Sequence, residues 1–392
     1  MLNEGLDKQE IIKILEKKLS RDYSYESGFI LGSMCTEPLD FGKEIYSKYL
    51  HINLGDPGLF QGSAELEEEL ITEIGEIFNG SNIIGTITTG GSEANIIAMR
   101  IAKKLRPDIK KPEIIVPVSA HKSFDKAKDF LGFKLQKVRL KGNFELDLNH
   151  FESLINENTV GAVGIAGTTS LGLIDPIQDI GKIIEGKGIF FHVDAAFGGF
   201  ILPFLKELGH KIPLWDFNVG ELNSITADPH KMGLGLIPTG GIFLRDPAIL
   251  QRAGFEIPYL AGGNFKHLHI VGTRPGGTVI AFWAILKYLG KRGFIEIVKE
   301  CMEKTDHLVK RLLEIKGIKL ATEPVMNVVG ITTENGESIC EIEEELRKKN
   351  WMLGKFIDFN LIRLVIMPHV KKSHLSKFAD DLEVVVKKLG FS

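Results

Sequence analysis

Apolar positions along this chain follow two rhythms. Short apolar runs stand at 114–118, 135–140, 160–166, 189–193, 224–227 and 241–244. Several show no alternation, the mark of strands covered on both faces. Helical spacing fills the stretches between them and also precedes them. Ser63 opens a helix whose stripe is Leu66, Leu70, Ile74 and Ile77, with an acidic outer face. Runs alternating with helices predict an α/β fold built on a mainly parallel sheet. Downstream the rhythm changes. Helices are predicted over 279–289 and 294–314, then strands at 325–332 and 361–367, with helices at 338–349 and 373–389. These describe a smaller α+β domain. Residues 1–50 read as a helix and an extended arm. The expected organisation is therefore 1–50, a large domain over 51–290, and a small C-terminal domain over 291–392.

Composition narrows the function more than the fold. Of 392 residues, 44% are hydrophobic and 25% charged, with a net charge of −3, so nothing draws the chain to nucleic acid or an anionic membrane. Any anion site must be local. The three cysteines, Cys35, Cys301 and Cys340, lie far apart and form no metal-type pair, so no metal is expected. Sparse, odd cysteines suit a reducing cytoplasm. The segment Met1 to Lys8 has no signal-peptide core, and no apolar run reaches the roughly 18 residues of a membrane span.

Polar residues follow four of the runs. His121 follows the first, Thr168-Thr169 the third, Asp194 the fourth and His230-Lys231 the fifth. Ligands of open parallel sheets bind outside the carboxyl ends of strands, so these clusters are expected to share one rim. A fifth element, Gly90-Gly91-Ser92, runs into a helix. Bare glycine backbone and a helix N-terminus make an anion cradle. A lone Gly-Gly-Ser is more simply a capped turn; its value comes from the company it keeps. It has neither P-loop nor GxGxxG spacing.

Most lysines are solvated charges. Lys231, flanked by Pro229, His230 and Gly233 at a strand end, is placed for burial that would lower its pKa and free an amine for Schiff-base chemistry. Asp194, otherwise a strand-end cap, would hold a proton on a pyridine nitrogen. Ala196 is small enough to lie under a flat ring, and His121 would stack on the opposite face. His230 would donate to a phosphate, or else is a satisfied structural histidine.

Taken together, Gly90 to Asn95, Gly164-Ile165-Ala166-Gly167-Thr168-Thr169, His192 to Gly199, Asp228 to Gly233 and Gly272-Thr273-Arg274-Pro275-Gly276 resemble the group II pyridoxal-phosphate decarboxylases of fold type I. Within that group the chain is most similar to the archaeal L-tyrosine/L-aspartate decarboxylases. The resemblance implies a seven-stranded sheet, pyridoxal 5′-phosphate on Lys231, Asp194 at the ring nitrogen and His121 stacked above. It gives Gly91, Ser92 and His230 to the phosphate and Thr168 to the ring hydroxyl. It also implies a homodimer with its active site at the subunit interface, near the 272–276 loop. The substrate would be L-aspartate, giving β-alanine for coenzyme A, or L-tyrosine, giving tyramine for methanofuran. Animal aromatic decarboxylases carry a proton-donating tyrosine on a loop; the matching stretch here, 262–270, has none. His267, His269, Lys231 or water could serve instead. A sphingosine-phosphate-type carbon–carbon lyase is the alternative, followed by an aminotransferase using Arg363 and a cysteine desulfurase.

Overall fold

The computed structural model describes residues 4–391, leaving Met1 to Asn3 of the N-terminal reading and Ser392 outside the described residues. Helix α1 (Lys8–Leu19) leads through an irregular arm into α2 (Asp40–Tyr49), a helix absent from the sequence expectation, and then α3 (Gln61–Ile77). The arm docks far downstream: Ile30 bridges Met352, and Leu31 is buried in the C-terminal core.

The main sheet comprises β1 (Ile84–Thr88), β2 (Glu113–Pro117), β3 (Lys134–Val138), β4 (Thr159–Ile165), β5 (Phe190–Asp194), β6 (Leu222–Ala227) and β7 (Gly240–Leu244). Their spatial order is β1-β7-β6-β5-β4-β2-β3. The six apolar runs all became strands. β1 was missed because its polar Thr86 and Thr88 break the run. Strand faces alternate between two cores: Ile115 and Phe243 pack on one side, Ile114, Val116, Ile242 and Leu244 on the other. This two-sided burial is why the runs lack alternation. Strands β2 to β6 are joined by parallel pairings (β3 to β2, β2 to β4, β4 to β5, β5 to β6), whereas β7 is antiparallel to both β6 and β1.

Past β7, the stretch 262–270, expected as a loop, instead supplies β9 (Gly263–His267) of a hairpin with β8 (Phe255–Leu260). One long helix, Gly276–Leu313, then crosses into the C-terminal part, broken at Gly290 (φ 54°, ψ −175°). Beyond it lies a four-stranded antiparallel sheet in which β11 (Val328–Thr333) and β13 (Leu361–Val365) are central. Its short edge strands, β10 (Ile318–Leu320) and β12 (Gly354–Phe356), were not anticipated. Helices Ile339–Lys348 and Lys372–Leu389 complete this part.

A buried ion pair ties the start of the long helix to α3 and β1. Arg274 meets Glu67 through two bonds of 2.7 Å, Nη1 to Oε1 and Nη2 to Oε2, and also donates to the Ile87 and Leu54 carbonyls. Burial alone would raise the Glu67 pKa; the guanidinium outweighs it and holds the carboxyl below its usual range.

Candidate active site

Strands β2, β4, β5 and β6 are adjacent and parallel, so residues beyond their carboxyl ends gather on one rim. β1 joins them, because two antiparallel pairings restore its direction to that of β6. Together they wall a cavity of about 290 Å³. His121 enters from β2, Asp194 and Ala196 from β5, Asp228, His230 and Lys231 from β6, and Gly91 and Ser92 from the turn into α4 (Gly91–Leu105). Met34 closes one side from the N-terminal arm.

Lys231, Asp194, His121, Ala196, Gly91, Ser92 and His230 thus line a single cavity. Thr168 does not. Its hydroxyl accepts the Leu173 N–H at 3.0 Å and its carbonyl the Gly172 N–H at 2.8 Å, so it closes its own loop. Its neighbours Gly167 and Thr169 face the cavity in its place. Adjacency in sequence could not reveal which residue of a tight reversal points outward.

The anion seat follows from two glycines. Gly90 has φ +142°, a conformation that L side chains rarely adopt. A Cβ on Gly91 would meet Asp228 Oδ2 at 2.8 Å and the Ala196 Cβ at 3.1 Å, so only bare backbone fits. The first-turn N–H groups of α4 have no partner within the helix, and its dipole favours an anion there. Glu93 braces the turn by accepting from the Thr89 N–H and hydroxyl, both at 2.8 Å, and from the Ile270 N–H at 3.1 Å.

Lys231 Nζ lies 3.0 Å from Asp228 Oδ2, and the other oxygen, Oδ1, is buried without a partner. His230 Nε2 stands 3.8 Å from the same carboxylate, while its Nδ1 faces the Thr239 carbonyl. Sequence reasoning passed over Asp228. It also misjudged the lysine. Burial pulls the Lys231 pKa down, as expected, but Asp228 and then Asp194 pull it up further, above the usual lysine value. The amine is therefore an ammonium with Asp228 as its nearest proton acceptor. Asp228→Asn removes the larger attraction and leaves burial, so the free amine appears at lower pH. The rate at which the cofactor-free protein captures added pyridoxal 5′-phosphate, followed against pH, is expected to reach half-maximum at lower pH in this variant. An unmoved profile would contradict the assignment.

His121 lines the cavity, and its Nδ1 accepts the Ser123 N–H at 3.2 Å. Partial burial holds its pKa below the usual histidine value, against the attraction of Asp194. The two histidines considered as proton donors lie elsewhere. His267 and His269 stack with ring centroids 3.5 Å apart, in a separate cavity beside Glu67 and Arg274. Burial, then Arg274, lowers the His269 pKa to about 3. A neutral ring outside the Lys231 cavity cannot protonate anything inside it within one chain. The 272–276 loop likewise points Arg274 into its clamp with Glu67 instead of toward this cavity.

A lysine able to take up a carbonyl compound beside a seat for phosphate is the working pair of one class of α/β enzyme, which borrows its chemistry from a phosphorylated aldehyde. Residues 62–333 match the family described as the pyridoxal-dependent decarboxylase conserved domain. The L-aspartate/L-glutamate decarboxylase of Pyrococcus horikoshii is 43% identical over 382 residues, covering 97% of this chain and 98% of the relative. The L-aspartate decarboxylase of Thermococcus kodakarensis is 43% identical, covering 98% of this chain and 99% of its own. A probable L-tyrosine/L-aspartate decarboxylase of Methanothermobacter thermautotrophicus is 42% identical, covering 92% of this chain and 98% of its own. Among solved structures, the sphingosine-1-phosphate lyase of Burkholderia pseudomallei superposes with TM-score 0.91 at 24% identity, covering 99% of this chain and 92% of that one. At that identity the likeness speaks for the fold. The chain belongs to the pyridoxal-dependent decarboxylases. It is a carboxy-lyase that uses pyridoxal 5′-phosphate to remove CO₂ from an amino acid. The cradle that a Cβ would fill and the buried amine beside it fit that cofactor.

Proposed function

We propose that this chain decarboxylates L-aspartate to β-alanine, with L-tyrosine, giving tyramine, as a second substrate. Aspartate is the substrate that the names of all three relatives share, and this carries the reading. Arg363, next to the cavity lining, adds to it: a buried guanidinium with no acidic partner among the described residues, donating to the carbonyls of Gly32 and, at 2.9 Å, of the cavity residue Thr169. A substrate carboxylate would supply the missing anion.

In this reading Lys231 would hold the cofactor covalently, Asp194 would partner its ring nitrogen, and Ala196 and His121 would pack against its ring. Gly91, Ser92 and His230 hold its phosphate. When bound, the cofactor supplies an electron sink for the bond that breaks. The protein's own work would be to hold the substrate so that its carboxylate, and not another group on Cα, is the one that leaves. Lys231, held beside Asp228, would be the group able to carry a proton and return it to the substrate Cα. We take 51–290 as the cofactor-binding unit, 291–392 as its cover and 1–50 as the docking arm. The working form is read as a cytoplasmic homodimer with the site at its interface. No helix among the described residues is long and apolar enough to cross a membrane. The products would feed coenzyme A and methanofuran synthesis.

The rivals have less behind them. A desulfurase needs a reactive thiol, but burial pushes the Cys301 thiol pKa up to about 12 and also raises that of Cys35. Incubating the loaded protein with Asp, Glu, Tyr and Trp, and measuring amines and CO₂, is expected to give β-alanine fastest. Keto-acid products, or cleavage of a phosphorylated sphingoid base without CO₂, would sink the reading.

A further inference from the structure

Beneath the cavity floor runs a chain of buried polar side chains where the apolar pattern calls for core. Asn95 lies on α4, one turn beyond the anion seat. Its Nδ2 donates both hydrogens, to Asp194 Oδ2 at 2.8 Å and to Ser123 Oγ at 2.9 Å. Its Oδ1 can only accept, and it faces His192 Nε2 at 3.0 Å, so that nitrogen carries the proton. Burial lowers the His192 pKa to about 4, which leaves the ring neutral and its Nδ1 bare. Nδ1 then accepts from Ser224 Oγ at 2.8 Å. Every donor and acceptor along this line has one consistent direction.

Asp194 receives neutral donors from the chain: Asn95 on Oδ2 and the Ala196 N–H on Oδ1 at 3.0 Å. The cavity's lysine ammonium, Lys231, pairs with Asp228 instead, and His230 Nε2 also lies nearer that carboxylate, at 3.8 Å. The Asp194 charge is thus held in place without being cancelled, as a carboxylate awaiting a cationic N–H in the cavity must be.

We propose that Asn95 and His192 are positioning residues for Asp194, through a one-way relay from Ser224 to His192 to Asn95 to the carboxylate. The inference rests on the reading that Asp194 faces the cofactor ring nitrogen. It links both ends of the cofactor to one helix, since α4 offers the anion seat at its N-terminus and Asn95 one turn later. His192 acts on Asp194 only by way of Asn95.

Titrating the cofactor-free protein with pyridoxal 5′-phosphate tests this apart from turnover. Asn95→Leu is expected to raise Kd roughly 10- to 100-fold, the loss of one hydrogen bond to a charged group. It should also shift the visible band of the loaded protein that reports ring protonation. His192→Leu should weaken binding less, and the double variant should be no worse than Asn95→Leu alone, because the two act in series. Additive losses, or wild-type affinity and band in Asn95→Leu, overturn the relay. If the leucine variants fail to fold, Asn95→Asp carries the test. Its carboxyl donates to Asp194 only when protonated, so affinity should be weak at neutral pH and recover on acidification; unchanged affinity at neutral pH overturns the relay. Asp194→Ala separates the two ideas. Wild-type binding by Asp194→Ala sinks the reading of Asp194, whereas a severe Asp194→Ala beside a silent Asn95→Leu sinks only the relay.

Discussion

Lys231→Ala is expected to abolish decarboxylation, by on the order of 10³-fold or more, the scale on which loss of a covalent catalyst is felt. The variant should still bind pyridoxal 5′-phosphate, because the seat at Gly91 and Ser92 is built from backbone and a helix terminus and does not use the lysine side chain. The bound cofactor should wash out on dialysis and should not be fixed to the chain by borohydride, whereas wild type should be labelled at the peptide carrying residue 231. The variant also leaves Asp228 buried with no ammonium beside it, since Lys231 is its nearest cation. Turnover surviving near the wild-type rate, or a borohydride label on another lysine, would remove Lys231 from the mechanism.

Arg274→Met should be the most damaging change outside the cavity. It strands the fully buried Glu67 carboxylate with only the Ile87 N–H and the Thr86 hydroxyl as donors, and frees the Leu54 and Ile87 carbonyls. Breaking one side of a buried pair costs about 3–5 kcal/mol, which lowers Tm by roughly 4–6 °C in a chain of this size. Removing both charges, as Glu67→Leu with Arg274→Met, should recover much of the loss, because an apolar pair leaves no uncompensated charge. Thermal melts of both variants check this. A single variant that melts like wild type would show that the clamp contributes little. Both should leave the cavity at Lys231 intact, since Glu67 and Arg274 lie outside it.

Much of the catalytic rim could be read without coordinates. Apolar runs without alternation mark strands buried on both faces, and polar residues just past four of them mark their carboxyl ends. That physical rule brought His121, Asp194 and Lys231 together before any fold was in hand. The glycine pair at 90–91 could be read for a similar local reason: only bare backbone and a helix start make an anion seat. What was missed is polar in unexpected places. His192 inside an apolar strand, Ser224 at the start of another and Asn95 on a helix face could have been flagged together as one buried network.

Sequence by itself determined six of the seven main-sheet strands and the longer helices, and which residue types can do imine and phosphate chemistry, because periodicity and backbone freedom are local properties. Tertiary structure alone decided that β1 turns twice through β7 to bring its cradle to the same rim. It also decided that Thr168 turns away, that His267 and His269 serve another cavity, and that Lys231 is an ammonium. Those outcomes depend on neighbours through space. The lysine's charge state is a contest between desolvation and two carboxylates, and only the fold sets how close those carboxylates come.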